Sequence, residues 1–162
     1  RLRPAPDTVP ERFEVGSNPF AALAGVVAAV EHLASMDGAA AGSRRERLAV
    51  SRRAVEAHEA VLGTRMVAGL RAIPGVTVYG EPAHRTPTAY FTLADRAPAD
   101  LAEALADRGI NCCHGYAYAW ELAGALGLRD CGGAVRASVN HYNTAADVDR
   151  LLNAVMDLAA AK

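Results

Sequence analysis

The sequence is almost without lysine. Of its 17 basic residues, sixteen are arginine, and Lys162 at the last position is the exception. That excludes chemistry that needs a lysine within the chain, such as a Schiff base or the phosphate-binding lysine of a P-loop. Cysteine is scarce and odd in number: Cys112, Cys113 and Cys131, two of them adjacent. This makes no disulfide framework and fits thiols kept in a reducing, cytoplasmic setting. Neither sign of charge dominates, with 17 basic against 18 acidic residues and a net charge of −1. Nucleic-acid and anionic-membrane binding are therefore not expected. Aromatic residues are 6% of the chain. No apolar run approaches the roughly 20 residues of a membrane span, and no signal peptide is visible. What remains is alanine-rich, 51% hydrophobic and 162 residues long, enough for one ordinary core.

Residues 1–19 read as an extended arm. Pro4, Pro6, Pro10 and Pro19 oppose regular structure, and Gly16-Ser17-Asn18 is turn chemistry. The chain does not open on methionine, and an arm without a core is expected to lie on another domain or a partner subunit, as a piece of something longer. Leu23, Val26, Val27, Val30 and Leu33 predict a helix from Phe20 to about Met36. The stripe Leu48, Val55, Leu62, Met66, Leu70 and Ile73 predicts a long helix over 43–73, closed by Pro74-Gly75. Such a helix often bridges two domains. Alternation at Val76–Tyr79 and Thr88–Leu93 predicts a hairpin-like strand pair. There follow a helix over 98–108, a strand over 110–113, a helix over 118–126, a strand over 134–139 and a final helix opened by Thr144. The order αα-ββ-α-β-α-β-α implies an α+β fold, with a short mixed or antiparallel sheet covered by helices on one face.

Three places can carry chemistry. Arg136 sits mid-strand between Val135 and Ala137. A guanidinium on a rigid strand suits bidentate capture of a carboxylate, and it equally suits a solvated sheet face. Asn111–Tyr118 holds two thiols and His114. Adjacent cysteines on a strand point to opposite faces, so a shared metal is not expected. The simpler assignment is one core thiol and one surface thiol. Glu14–Pro19 precedes a helix, where glycine and a hydroxyl can meet a phosphate or simply form a turn.

Together these pieces resemble the class V aminotransferases and cysteine desulfurases. Phe13-Glu14-Val15-Gly16-Ser17 is similar to the family's F-E-x-G-T element. Ile73-Pro74-Gly75-Val76, Arg85-Thr86-Pro87-Thr88, Arg108-Gly109-Ile110 and Gly115–Ala119 occur in the family's order. Val135-Arg136-Ala137-Ser138, His141-Tyr142-Asn143-Thr144 and Asp147–Leu151 resemble its V-R-x-S…Y-N-T-x-E-E-V-D-R-L ending.

The resemblance implies the C-terminal part of a pyridoxal-phosphate enzyme of the aspartate-aminotransferase fold. Residues 1–42 would end the large cofactor domain, 43–74 would be the connecting helix and 75–162 the small domain. Arg136 would bind the α-carboxylate of a small amino acid. Gly16 and Ser17 would reach the cofactor phosphate of the partner subunit in a homodimer. The cofactor lysine would precede Arg1, in the upstream large domain, so this segment alone would be inactive. The family's persulfide cysteine, three residues after the loop glycine, is replaced by Tyr118. Transamination, desulfuration, elimination and racemisation all stay open, as does a stand-alone non-catalytic α+β module for ligand binding or dimerisation.

Overall fold

The computed structural model describes residues 6–14 and 16–161. Pro4, Val15 of the F-E-x-G-T-like element and Lys162 lie outside them. Backbone contacts divide the chain into two compact units, 1–54 and 55–162.

In the first unit the arm is less extended than its prolines suggest. Among its described residues a 3-10 turn at Glu11–Phe13 interrupts it, and the Arg12 amide donates to the Thr8 carbonyl at 2.8 Å. Helix α1 runs Phe20–Ala34, with Pro19 just before its first turn. Ala34 is its buried residue. The predicted apolar stripe is present but open to solvent: Val26 is 60% and Val27 54% exposed. Helix α2, Arg44–Ala72, measures about 43 Å at 1.5 Å per residue, and the boundary between the units falls inside it. Within the first unit Ser51 is buried, its hydroxyl donating to the Ala34 carbonyl and accepting from the Asp37 amide at 3.0 Å. Arg44 and Arg47 close on Glu31 at 2.6 and 3.0 Å. The Arg47 hydrogen bond, followed by that of Arg44, holds the Glu31 carboxyl below its usual range.

The second unit contains the sheet. Strands β1 (Val76–Val78), β2 (Thr88–Leu93), β3 (Cys113–Gly115) and β4 (Ala134–Ser138) lie in the order β1-β2-β4-β3. All three pairings are antiparallel. Helices α3 (Pro98–Ala106) and α5 (Ala145–Ala160), with the C-terminal half of α2, build the main core. Strand alternation sends Ala89, Phe91, Leu93, Val135 and Ala137 into it, and Phe91, Met66, Leu70, Leu101 and Val155 are fully buried. Burial of each such large side chain stabilises by about 1.5–3 kcal/mol. Contrary to the one-face expectation, the short helix α4 (Trp120–Ala125) packs with a second, smaller cluster of Ala123, Leu128 and Ala134. Ala134 has the opposite strand parity to Val135, so this cluster belongs to the other face of the sheet.

The third strand starts later than the expected 110–113. The Ile110 amide is taken by the Leu105 carbonyl at 2.9 Å, closing the end of α3. It is therefore unavailable to the ladder, and the first registered pair is Cys113 with Arg136. The last helix begins as expected: the Thr144 side chain accepts from the Asp147 amide, and Asp147 accepts from the Thr144 amide.

Candidate functional site

The face of the sheet turned away from the main core carries the candidate site. Its centre is set by register. Arg136 on β4 is paired with Tyr90 on β2 and with Cys113 on β3. Tyr79, just after β1, donates its amide to the Tyr90 carbonyl at 2.8 Å, and the two rings lie 6.1 Å apart. Tyr79, Tyr90, Arg136 and Cys113 thus form one row across all four strands.

Arg136 is exposed, and its Nη2 lies 3.8 Å from Cys113 Sγ. No carboxylate pairs with it among the described residues. Other arginines do hold a carboxylate, among them Arg44 and Arg47 on Glu31, Arg65 on Asp149, Arg71 on Glu81 and Arg129 on Glu121. Arg136 opens into a cavity of about 500 Å³, whose lining includes Tyr90, Cys113, Tyr116, Tyr118 and Trp120. This volume lies in the about 300–1,000 Å³ range of small-molecule sites.

Part of the cavity wall is braced. Tyr116 donates its hydroxyl to the Arg129 carbonyl at 3.0 Å and meets Trp120 edge-on at 5.0 Å. The Arg129 guanidinium stacks 4.6 Å over the Trp120 ring and holds Glu121 at 3.0 Å. Tyr90 donates to the Gly115 carbonyl at 2.5 Å, and burial raises its phenol above the usual range. Beside it β3 and β4 approach so closely that a side chain on Gly133, at φ +92°, would land on the Gly115 backbone.

Between these braces Ala117 and Tyr118 both have positive φ, +51° and +61°. Two consecutive non-glycine residues in the left-handed region are costly, and such conformations gather at functional sites. Tyr118 is fully exposed on that turn. The expected cysteine position therefore carries a phenol at the rim of the cavity.

The three thiols differ. Burial pushes the half-buried Cys112 up to about 11, so it stays protonated. Cys131 is exposed and its thiol donates to the Leu128 and Gly133 carbonyls at 3.4 Å. Cys113 is exposed and lines the cavity. His114 lines it too, with no hydrogen bond to Cys113.

The third expected element lies in the other unit. Gly16 has φ +91° and open space around it, and Asn18 donates to Glu14 across the turn at 3.0 Å. Ser17 is exposed and its hydroxyl takes no partner among the described residues. Such a turn has room for a phosphate. It offers no amine, however, and no lysine stands among the described residues. The donor set present does not by itself hold pyridoxal phosphate.

Sequence reasoning identified Arg136 and passed over its aromatic neighbours. Tyr79, Tyr90, Tyr116 and Trp120 belong to the site through sheet order and loop closure. The usable signal was parity: Thr88, Tyr90 and Thr92 alternate against buried Ala89, Phe91 and Leu93.

Known proteins share this arrangement of chain. An uncharacterized protein of Mycobacterium tuberculosis is 40% identical over 152 residues, which are 93% of this chain and 37% of the relative. A probable cysteine desulfurase of Pseudomonas putida is 35% identical, covering 95% of this chain and 33% of its own length. The apo structure of a cysteine desulfurase from Thermococcus onnurineus matches with a TM-score of 0.76 at 25% identity, over 94% of this chain and 34% of that one. The chain spans about a third of the length of these relatives. No helix of the described residues is long and apolar enough to cross a membrane. The family model described as aminotransferase class-V matches residues 5–151, and with nearly the whole sequence matched the chain belongs to that family.

Proposed function

We propose that this chain is the C-terminal, substrate-gripping part of a pyridoxal-phosphate enzyme acting on a small amino acid, with Arg136 as the carboxylate anchor. The observation that carries the proposal is Arg136 itself. It is fixed on an inner strand of the sheet and opens into a cavity of about 500 Å³ with no carboxylate partner among the described residues. A guanidinium so placed offers paired N–H groups to a planar anion.

In this reading residues 1–42 end the large cofactor domain, 43–74 connect and 75–162 form the small domain. Gly16 and Ser17 contribute to the cofactor phosphate site of a partner subunit in a cytoplasmic homodimer. The cofactor supplies the electron sink when bound. This chain's residues supply substrate binding and orientation, and the segment alone is inactive for want of the lysine.

Arg136→Ala in the intact protein is expected to raise KM for amino acids about 10–100-fold, the loss of a charged hydrogen-bonded pair worth about 1.5–3 kcal/mol. The cofactor's visible absorption should be unchanged. Wild-type KM would sink the assignment.

A second reading has one observation behind it. Cys113 shares the cavity with Arg136, and in this reading it serves as the sulfur acceptor of a desulfurase-like reaction in place of the missing loop cysteine. A strand thiol has less reach than a loop thiol, and Tyr118 cannot accept sulfur. Full alanine production from cysteine by Cys113→Ser would remove this reading.

A further inference from the structure

Beside Arg136 lies a second cavity, of about 300 Å³. It shares Tyr90, Tyr116, Ala117 and Arg136 with the first, and continues past them over Tyr79, Leu122 and Leu126. We propose that this second cavity is the side-chain subsite of the substrate, and that it selects aliphatic and aromatic amino acids over cysteine and over acidic ones. The proposal rests on the reading that Arg136 holds the carboxylate.

The chemistry of the wall decides the selection. Every side-chain hydroxyl lining this cavity is already engaged by the protein. Tyr79 Oη is 3.2 Å from Thr92 Oγ1 and Thr88 Oγ1 is 3.0 Å from Ser138 Oγ. Tyr90 donates to the Gly115 carbonyl at 2.5 Å and Tyr116 to the Arg129 carbonyl at 3.0 Å. The three phenols therefore present ring carbon to the space. Apart from Arg136, no charged side chain lines it. A polar or acidic side chain entering would lose water and find no designated partner, which is costly. An apolar one would cover Leu122 and Leu126, which stand 56% and 38% exposed, and gain by removing that surface from water. Arg136 lines both cavities, so a carboxylate held there places the substituent of the adjacent carbon within reach of this wall.

Thiol chemistry has no place in this subsite. Cys113 belongs to the lining of the first cavity and not to that of the second. Tyr118 occupies the loop position at which the resemblance would put a sulfur acceptor. A cysteine substrate would find neither a thiol nor a free hydrogen-bonding group beside its side chain.

Titration calorimetry of the intact protein with carboxylates that lack an amino group reads the subsite without turnover. The probes are propanoate, 4-methylpentanoate, 3-phenylpropanoate, 3-mercaptopropanoate and succinate. The two bulky apolar acids should bind at least about tenfold tighter than the other three, the lower end of what one buried methylene confers in a fitted pocket. Leu122→Glu, at an exposed position that tolerates the change, should reduce that ratio about tenfold, and Arg136→Ala should weaken all five. Equal binding of the five, no measurable binding of the bulky pair, or tightest binding of succinate or 3-mercaptopropanoate overturns the subsite. So does a ratio that survives both Leu122→Glu and Leu126→Asp. In those cases a retained effect of Arg136→Ala leaves the carboxylate anchor standing. Wild-type binding by Arg136→Ala is a different result, and removes the anchor on which the subsite depends.

Discussion

The two units of the chain treat their apolar residues in opposite ways. In residues 55–162, Phe91, Met66, Leu70, Leu101, Val135 and Val155 are fully buried between sheet and helices. In residues 1–54, α1 leaves Phe20, Leu23, Val26, Val27 and Leu33 roughly half or more exposed, and among the described residues Ala34 and Ser51 are the buried ones. The helices α1 and α5, one in each unit, carry apolar residues at the same three- and four-residue spacing. Amphipathic spacing therefore says which face of a helix is apolar and nothing of what covers it.

This contrast can be broken by mutation. The largest effect is expected at Phe91→Ala, where loss of a fully buried ring should cost about 3–5 kcal/mol by urea unfolding of the intact protein. Val26→Ala should cost less than about 0.5 kcal/mol if the α1 face stays as exposed as it is here. A loss comparable to that at Phe91 would show that the intact protein covers this face. Gly133→Ala comes next, because it combines a positive φ with a collision against the Gly115 backbone. It should cost about 1–3 kcal/mol for the backbone conformation alone and disturb carboxylate binding by parting β3 from β4. Thr144→Ala removes the side-chain half of the α5 cap and should cost about 1 kcal/mol, measured by the same unfolding curve.

The most local comparison is between two adjacent thiols. Cys112 and Cys113 are neighbours in sequence and differ in exposure. At neutral pH iodoacetamide should alkylate Cys113 well before Cys112, read by peptide mass spectrometry. Cys112 is raised from its usual 9.0 to about 11. The contribution of this thiol to stability is therefore complete below pH 9 and declines as pH rises from 9 towards 11, because the unfolded chain ionises first. Cys112→Ser should flatten that decline. Equal alkylation of the two thiols would contradict the exposure difference.

Much of the fold could be read from the residues. Thr144 and Asp147 announce α5, Pro74-Gly75 ends α2, and the alternation of Thr88–Leu93 marks β2 with its core face. These signals are local, set within a few residues by capping, breaking or period. The start of β3 was not legible, because the Ile110 amide was claimed by Leu105 at the end of α3, a competition that strand propensity does not express. The site was half legible. Arg136 stands out between Val135 and Ala137, whereas Tyr90 and Cys113 become its neighbours through register with β2 and β3. No local pattern carries that pairing, since the partners lie far outside any local window of the sequence.

The row Tyr79, Tyr90, Arg136, Cys113 works as a ruler. Neighbouring strands in a sheet are spaced about 4.8 Å apart, so four marks span about 14 Å: two rings, a cation and a thiol at fixed intervals. Three of the marks sit on different strands and Tyr79 follows the end of the fourth, so register sets their spacing. A shift of one residue along any strand would turn that strand's mark towards the core and erase it. The backbone register thus guards the spacing of the chemistry.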